Sequence, residues 1–179
     1  MVLIFAHPYR DRSRANARLL EAVRDVAGLD VHSLYDDYPD FDIDVERERA
    51  ALARAELVIW QHPLYWYSVP SLLKHWFDRV LVRGYAYGDG GTALQGKRCL
   101  WVATTGGDDA DYTASGIHGH DFDQFVPAVR QTARFCGMHW ESPIIVRGAH
   151  AISASQLDVY ASSYRARLID LGASRENRA

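Results

Sequence analysis

Cysteine, basic charge and long apolar runs are all scarce in this sequence of 179 residues. Its only cysteines, Cys99 and Cys136, are too few for a disulfide framework, so a reduced, intracellular environment is expected. The 20 basic residues do not exceed the 23 acidic ones, and this balance speaks against nucleic-acid binding. The most apolar stretch, residues 57–73, is interrupted by polar residues and prolines, whereas a membrane span needs roughly 20 clean residues.

Aromatic residues, by contrast, make up 12% of the chain, as five Trp, ten Tyr and six Phe. The remaining composition, with 48% hydrophobic and 24% charged residues, is that of one soluble globular domain. We expect residues 1–172 to form that domain and the polar residues 173–179 to be a disordered tail. Trp60, Trp76 and Trp101 are expected core residues, but the aromatic excess as a whole needs a further explanation.

Five apolar strands alternate with five helical segments, which predicts a parallel sheet covered by helices on both faces. The run Val2–Ala6 is predicted to be the first strand rather than a signal peptide, because no basic segment precedes it. The simplest fit is a flavodoxin-like three-layer α/β sandwich with strand order 2-1-3-4-5. The predicted elements are strands at 2–6, 31–34, 57–61, 99–103 and 144–146 and helices from Ser13 to before Gly28, at 45–55, at 71–80, ending at Gly137, and at 155–171.

Three loops follow the carboxyl ends of strands one, three and four, where ligands bind in such sheets. The first, residues 7–16, has no glycine-rich dinucleotide motif, but it places Ser13 at the start of a helix. Free backbone N–H groups and the positive end of the helix dipole suit a phosphate there, and Arg10, Arg12 and Arg14 add positive charge. The alternative is an ordinary N-cap with solvated arginines, and this loop on its own favours that alternative.

The loop after the third strand carries Leu64, Tyr65, Trp66 and Tyr67 in a row, where the chain is expected to turn at the surface. Large planar side chains suit a flat heteroaromatic ligand, either by stacking on it or by lining its edge. The alternative is a contact between subunits, since exposed aromatic patches also mark interfaces. The two interpretations are compatible with each other.

The loop after the fourth strand combines a glycine pair with a tyrosine and a histidine. Gly106 and Gly107 let backbone N–H groups approach the edge of a ligand closely. Tyr112 offers a phenol donor and His118 a group that titrates near neutral pH, and such groups stabilise charge that develops in a reaction. A single loop histidine is more often a surface residue than a catalyst. Residues 118–121 lack the further ligands of a metal site, so no metal is predicted.

Short sequence motifs stand at the expected place in each of these three loops. They are Ala6-His7-Pro8 with Ser13 and Asn16, residues 63–67 with Pro70 and residues 72–76, and residues 104–107 with Tyr112 and residues 116–119. Each motif alone is modest, whereas all three in chain order are highly specific. Together they resemble the flavodoxin-like NAD(P)H:quinone oxidoreductases, and the resemblance extends over nearly the whole chain.

The resemblance implies a tightly bound flavin. FMN is favoured over FAD, because the larger relatives that bind FAD are longer chains. By family, the phosphate end, the isoalloxazine ring and the pyrimidine edge are each contacted by one loop. The implied contacts are His7, Ser13, Arg14, Ala15 and Asn16 at the phosphate end, Leu64, Tyr65, Trp66 and Tyr67 at the ring, and Thr104, Thr105, Gly106 and Gly107 at the pyrimidine edge.

The same resemblance implies a reaction in two half-steps, in which NAD(P)H gives a hydride to flavin N5 and leaves, and a quinone then takes the hydride. Tyr112 and His118 match the pair that these enzymes use to stabilise the flavin as it takes up the hydride. Tyr87 matches an aromatic residue that a second subunit adds to the pocket. The family therefore implies a homodimer with two shared sites.

Four further segments, 38–41, 61–63, 90–91 and 138–143, are most similar to the small ancillary proteins of bacterial glutathione-regulated potassium-efflux antiporters. This likeness implies a membrane antiporter as a further partner, with the cytoplasmic protein held at the inner face of the inner membrane. The alternative function is a non-catalytic regulatory subunit of such an antiporter. A one-electron flavodoxin carrier is a weaker third interpretation, because a net charge of −3 is much less acidic than is typical of such carriers.

Overall fold

A parallel sheet of six strands lies at the centre of the computed structural model of the protein. The structure describes residues 1–173, except the side chain of Arg10. The strands are β1 (Val2–Phe5), β2 (Asp30–Ser33), β3 (Leu57–Pro63), β4 (Arg98–Thr104), β5 (His139–Trp140) and β6 (Ile144–Val146). The helices are α1 (Ala15–Val23), α2 (Leu34–Asp37), α3 (Val45–Arg54), α4 (Ser71–Val80), α5 (Val126–Phe135) and α6 (Ala154–Ala173). The predicted disordered tail lies outside the described residues except for Ala173, which ends α6.

The strand order is β2-β1-β3-β4-β5, which confirms the predicted topology. The strand count is one higher than predicted, because the fifth position is shared by two short strands. β5 pairs with the start of β4, and β6 pairs with its end. Pro143 stands between them and has no N–H to give to a sheet ladder, which accounts for the interruption.

Helices cover both faces of the sheet, as the sequence predicts. α1 and α6 pack against one face, and α3, α4 and α5 pack against the other. Trp60, Trp76 and Trp101 are fully buried in the core, which confirms their prediction. Because β1, β3 and β4 are buried on both faces, their functional ends are the carboxyl ends, where the chain leaves the sheet. No helix in this part of the chain combines the length and apolarity needed to cross a membrane.

The start of α1 differs from the prediction in detail. Arg14, not Ser13, is the residue that precedes the helix, and its own side chain does not cap the helix. The Ser13 hydroxyl instead accepts a hydrogen bond from the backbone N–H of Ala17 at 3.3 Å. The helix therefore begins one residue later than its N-cap signal indicates, and the backbone N–H groups of Ala15 and Asn16 fall in its first turn, where helices have no internal acceptors.

One buried carboxylate ties α3 to its neighbours. Glu48 is fully buried and accepts hydrogen bonds from the Tyr38 hydroxyl at 2.7 Å and the Trp76 indole N–H at 2.8 Å. Its third contact is with Nδ1 of His32 at 2.7 Å. The three partners come from β2, α4 and the segment after α2, so this single side chain joins α3 to a strand of the sheet, a neighbouring helix and a connecting segment.

Candidate active site

The three loops singled out from the sequence meet at the carboxyl edge of the sheet. The backbone N–H of Leu64, after β3, donates to the carbonyl of Thr104, at the end of β4, at 2.7 Å. The side-chain amide of Asn16, in α1, donates to the Thr104 hydroxyl at 2.7 Å. Thr104 therefore joins the loop predicted for the flavin ring to the helix predicted for its phosphate.

The residues predicted for the phosphate end surround the start of α1. His7 is buried, its Nδ1 accepts from the backbone N–H of Tyr9 at 3.1 Å, and burial lowers its pKa. A neutral His7 then carries its proton on Nε2, where it can serve as a donor. The Arg14 guanidinium donates to the carbonyl of Ile152, so it is anchored to the protein rather than only solvated. Arg12 lies 6.0 Å from the ring centroid of Tyr9.

The aromatic loop after β3 is a tight hairpin. Tyr65 and Ser68 exchange two backbone hydrogen bonds of 3.0 Å, and Trp66 and Tyr67 between them have φ values of 49° and 62°. Two consecutive positive φ values form a type I′ turn, which bulky residues adopt only at a cost in strain. The turn presents Trp66 with 93% of its surface exposed and Tyr67 with 49%. A turn needs neither side chain, so their presence favours a binding role.

The predicted catalytic pair is in contact. The rings of Tyr112 and His118 stack with their centroids 4.3 Å apart, and the Tyr67 hydroxyl lies 3.4 Å from Nδ1 of His118. Burial raises the pKa of Tyr112, against the opposing effect of a hydrogen bond with Thr105, so the phenol keeps its proton at neutral pH. The three side chains form one cluster between the loops that follow β3 and β4.

Gly107 leaves the space that His118 uses. A Cβ atom on Gly107 would lie 2.7 Å from Nε2 of His118 and 3.1 Å from the Tyr112 ring, closer than such contacts allow. On Gly106 it would lie 3.1 Å from Cδ2 of His150. A side chain at Gly107 would therefore displace His118, whereas one at Gly106 would need only a small shift of His150; the predicted approach of their backbone N–H groups to a ligand stays a prediction.

A fourth loop, which the sequence analysis did not single out, also reaches the site. The backbone N–H of Gly148 donates to the Gly107 carbonyl at 2.8 Å, and that of Ala149 donates to the Thr105 carbonyl at 2.8 Å. This loop follows β6, which pairs with β4, so its place at the carboxyl edge follows from the same sheet rule applied to strand five. His150 and Ile152 contact the site from this loop.

Phe125 is a second residue that the sequence analysis missed. Its ring stacks on Tyr67 with the centroids 5.1 Å apart and lies edge-on to Tyr112 at 5.9 Å. Phe125 comes directly before α5. The sequence could have indicated it only through the start of this helix, which lies beside the loops of the site.

The polar atoms at this edge fit a flavin. Oδ1 of Asn16 and Nε2 of His118 are buried and have no hydrogen-bond partner within the described part of the chain. Buried polar atoms are normally satisfied, so orphans on two of the predicted residues mark a place where a polar ligand is expected. The exposed aromatic hairpin offers a flat apolar surface beside them, and the start of α1 offers backbone N–H groups for a phosphate.

Two cavities lie beside these residues rather than among them. One of about 660 Å³ is lined by β6, α6 and the start of α5 and by Phe122, whose ring is 5.3 Å from that of Tyr112, and another of about 340 Å³ lies between α4 and α5. Neither is lined by a residue predicted to hold the flavin. The candidate site is therefore identified by its contacts and by two buried polar atoms that lack a hydrogen-bond partner among residues 1–173. Within residues 1–173, no group of three or more His, Cys, Asp or Glu side chains is arranged to hold a metal ion.

Comparison with known proteins places the chain in a family. Residues 1–168 match the model of a family described as having a flavodoxin-like fold. The glutathione-regulated potassium-efflux system ancillary protein KefF of Klebsiella pneumoniae is 45% identical over 177 residues, which cover 99% of this chain and 99% of that protein.

Two solved structures agree with this assignment. A general stress protein 14 from Treponema denticola, solved in complex with FMN, superposes with a TM-score of 0.88 at 33% identity over 95% of this chain and 98% of that one. An NADPH-quinone reductase from P. pentosaceus superposes with a TM-score of 0.82 at 26% identity over 92% of this chain and 94% of that one. The chain therefore belongs to the flavodoxin-like family that includes the ancillary proteins of glutathione-regulated potassium-efflux systems.

Proposed function

We propose that the protein is an FMN-dependent oxidoreductase that transfers two electrons from NAD(P)H to a quinone. The observation that carries the proposal is the cluster of Tyr112, His118 and Gly107. In this cluster, a buried imidazole nitrogen with no hydrogen-bond partner among residues 1–173 lies against a glycine and a stacked phenol. Relatives named for FMN binding and for quinone reduction support it. When bound, FMN would supply the two-electron redox chemistry that couples oxidation of NAD(P)H to reduction of a quinone, and one proton in addition to the hydride equivalent would complete the hydroquinone.

The residues of this chain hold the cofactor from three sides. The backbone N–H groups at Ala15 and Asn16, with neutral His7 beside them, receive the phosphate. Trp66 and Tyr67 would cover the ring, and the backbone of Gly106 and Gly107 would contact its pyrimidine edge. FMN is proposed rather than FAD because the Treponema denticola relative was solved in complex with FMN.

Tyr112 and His118 stabilise the negative charge that develops on the flavin during its reduction. The Tyr112 hydroxyl stays protonated and donates a hydrogen bond toward the pyrimidine edge, where negative charge is stabilised by donors of fixed position. His118, held by the Tyr112 ring and by Tyr67, supplies a cationic or proton-donating group to the same region.

A homodimer and an antiporter partner belong to the same proposal. Tyr87 packs against Phe135, which is 61% exposed, and this aromatic pair lies at the surface between α4 and α5 where a second copy would add Tyr87 to a shared pocket. The Klebsiella relative is named as an ancillary protein of a potassium-efflux system, and this name supports an efflux partner, which we propose to be an antiporter that the cytoplasmic protein binds at the inner membrane.

The same name favours a second candidate, a non-catalytic regulatory subunit of such an antiporter. The two functions differ in what the purified protein does alone. An enzyme is expected to be yellow, to release FMN on denaturation and to oxidise NAD(P)H only when a quinone is added. A protein that stays colourless after incubation with FMN, yet activates an antiporter in vesicles, would refute the enzymatic proposal and establish the regulatory one.

A further inference from the structure

Four buried side chains connect α6 to the loops of the candidate site. The Tyr164 hydroxyl donates to Oε1 of Gln61 at 3.3 Å, and Nε2 of Gln61 donates to the backbone carbonyl of Asn16 at 3.0 Å. The Asn16 amide then donates to the Thr104 hydroxyl at 2.7 Å. None of the four is more than 4% exposed, so the whole series is shielded from water.

The direction of these hydrogen bonds is fixed by chemistry. The backbone carbonyl of Asn16 can only accept, so the amide nitrogen of Gln61 faces it and the amide oxygen faces Tyr164. Burial raises the pKa of Tyr164, so its phenol keeps the proton that it donates to that oxygen. A 180° flip of the Gln61 amide would break both hydrogen bonds. The side chain therefore fixes the position of α1 relative to α6.

Two of these four residues belong to the candidate site, and two support it from the core. Asn16 and Thr104 are proposed to contact the cofactor, whereas Gln61 is a fully buried residue of β3 and Tyr164 a fully buried residue of α6. Thr104 also receives the backbone N–H of Leu64. One glutamine side chain thus sets the first turn of α1 relative to the loops that follow β3 and β4.

We infer that Gln61, locked by Tyr164, is a positioning residue that holds the phosphate and pyrimidine ends of the flavin site at the separation that FMN requires. This inference rests on the proposed function only for the identity of the ligand. The simpler alternative is that the two hydrogen bonds contribute to overall stability and to nothing else. The two differ in their effect on ligand affinity at a temperature where every variant is folded.

The test compares Gln61→Met and Tyr164→Phe, which remove these hydrogen bonds with little change of shape. The control is Tyr38→Phe, which removes a buried tyrosine hydroxyl that donates to Glu48 in the other layer. The affinity of ligand-free protein for FMN is measured by quenching of flavin fluorescence at 10 °C, about 30 °C below the midpoint of thermal unfolding or further. Amide hydrogen exchange of the ligand-free protein is followed at residues 15–18 and 104–107.

We expect Gln61→Met to weaken FMN binding about tenfold and Tyr164→Phe about threefold, with faster exchange in both segments. Tyr38→Phe is expected to lower the unfolding midpoint while leaving the FMN affinity and the exchange of those segments unchanged. If the Gln61 and Tyr164 variants behave like the control, the inference is wrong. Should Gln61→Met fail to fold, Tyr164→Phe decides alone, since it keeps the glutamine. A wild-type protein that does not bind FMN contradicts the proposed function, while the exchange data still decide whether the two segments are coupled.

Discussion

The rings of Tyr112 and His118 stack with their planes at 30°, so the two side chains act on the same small volume. We expect Tyr112→Phe combined with His118→Ala to retain FMN but to slow its reduction by NAD(P)H about 10²-fold, because a fixed donor and a proton-donating group are lost together. Stopped-flow absorbance of the flavin band measures this rate. Thr113→Ala on the same loop is the control, and equal rates in all three proteins would contradict the proposed roles.

Gly107 is expected to be intolerant of even a methyl group. Gly107→Ala places a Cβ 2.7 Å from Nε2 of His118, so the imidazole has to leave its position against Tyr112. The matched control is Gly172→Ala in α6, where the added Cβ meets only the Met1 side chain at 3.6 Å or more. We expect the first variant to retain FMN but to slow its reduction at least about tenfold, and the second to change neither property. Isothermal titration with FMN and the stopped-flow assay check both outcomes.

The place of the candidate site was predictable because the carboxyl ends of parallel strands share one edge. Knowing the strand order is enough to bring Asn16, Leu64 and Thr104 together, and their hydrogen bonds confirm that proximity. The buried strands, the core tryptophans and α4 are equally clear in the sequence, because continuous apolar runs and helical spacing leave few alternatives.

Three features of the site depend on contacts between segments that are distant in the sequence or on details of a helix end, and no short sequence pattern predicts them. Phe125 joins the site because α5 begins beside the aromatic hairpin, and its spacing in the sequence looks like that of any core residue. The division of the fifth strand at Pro143 decides that the loop after β6 reaches Gly107. α1 begins one residue later than Ser13 predicts. The Ser13 hydroxyl accepts from the backbone N–H of Ala17, which is one residue beyond the N–H groups that an N-cap side chain usually binds.

Trp66 separates the two interpretations of the aromatic hairpin. Because 93% of the surface of Trp66 is exposed, the change Trp66→Ala removes no core contact. The free energy of unfolding should therefore change by less than about 0.5 kcal/mol. Loss of an aromatic contact worth about 1 kcal/mol should weaken FMN binding about fivefold. Val159→Ala, at an exposed apolar position of α6, is the control. If light scattering shows dissociation of a dimer while FMN affinity is unchanged, the hairpin is a subunit contact and not a flavin contact.

The Glu48–His32 pair makes stability depend on pH in a defined direction. Burial alone would raise the pKa of Glu48 and lower that of His32, but the hydrogen bonds and charges they exchange lower the pKa of Glu48 and raise that of His32 overall. The Glu48 contribution is present above its unfolded pKa of about 4.3 and is lost as the pH falls through the folded value. The His32 contribution is complete below its unfolded pKa of about 6.5 and is lost as the pH rises through the higher folded value.

Stability from this pair is therefore expected to be greatest between about pH 4.5 and 6.5 and to decline above that range. Glu48→Ala leaves His32, Tyr38 and Trp76 without their acceptor and should cost about 3–5 kcal/mol. Urea unfolding at half-unit steps from pH 4 to 9 measures both effects. Glu46→Ala, an exposed change on the same helix, should leave the wild-type profile intact. A Glu48→Ala profile parallel to wild type above pH 6.5 would show that the pair does not titrate as described.

The aromatic pair of Tyr87 and Phe135 provides the test of the proposed dimer. Phe135 is 61% exposed, and its ring lies 4.9 Å from that of Tyr87 beside the cavity between α4 and α5. Phe135→Asp places a charge in that apolar surface, so a dimer formed there should dissociate, and quinone reduction should fall because each site loses the partner's tyrosine. Multi-angle light scattering gives the mass, and Ile169→Asp, at a 51% exposed apolar position of α6, is the matched control. Dissociation by the Ile169 variant and not by the Phe135 variant would move the interface to α6 and remove Tyr87 from the active site.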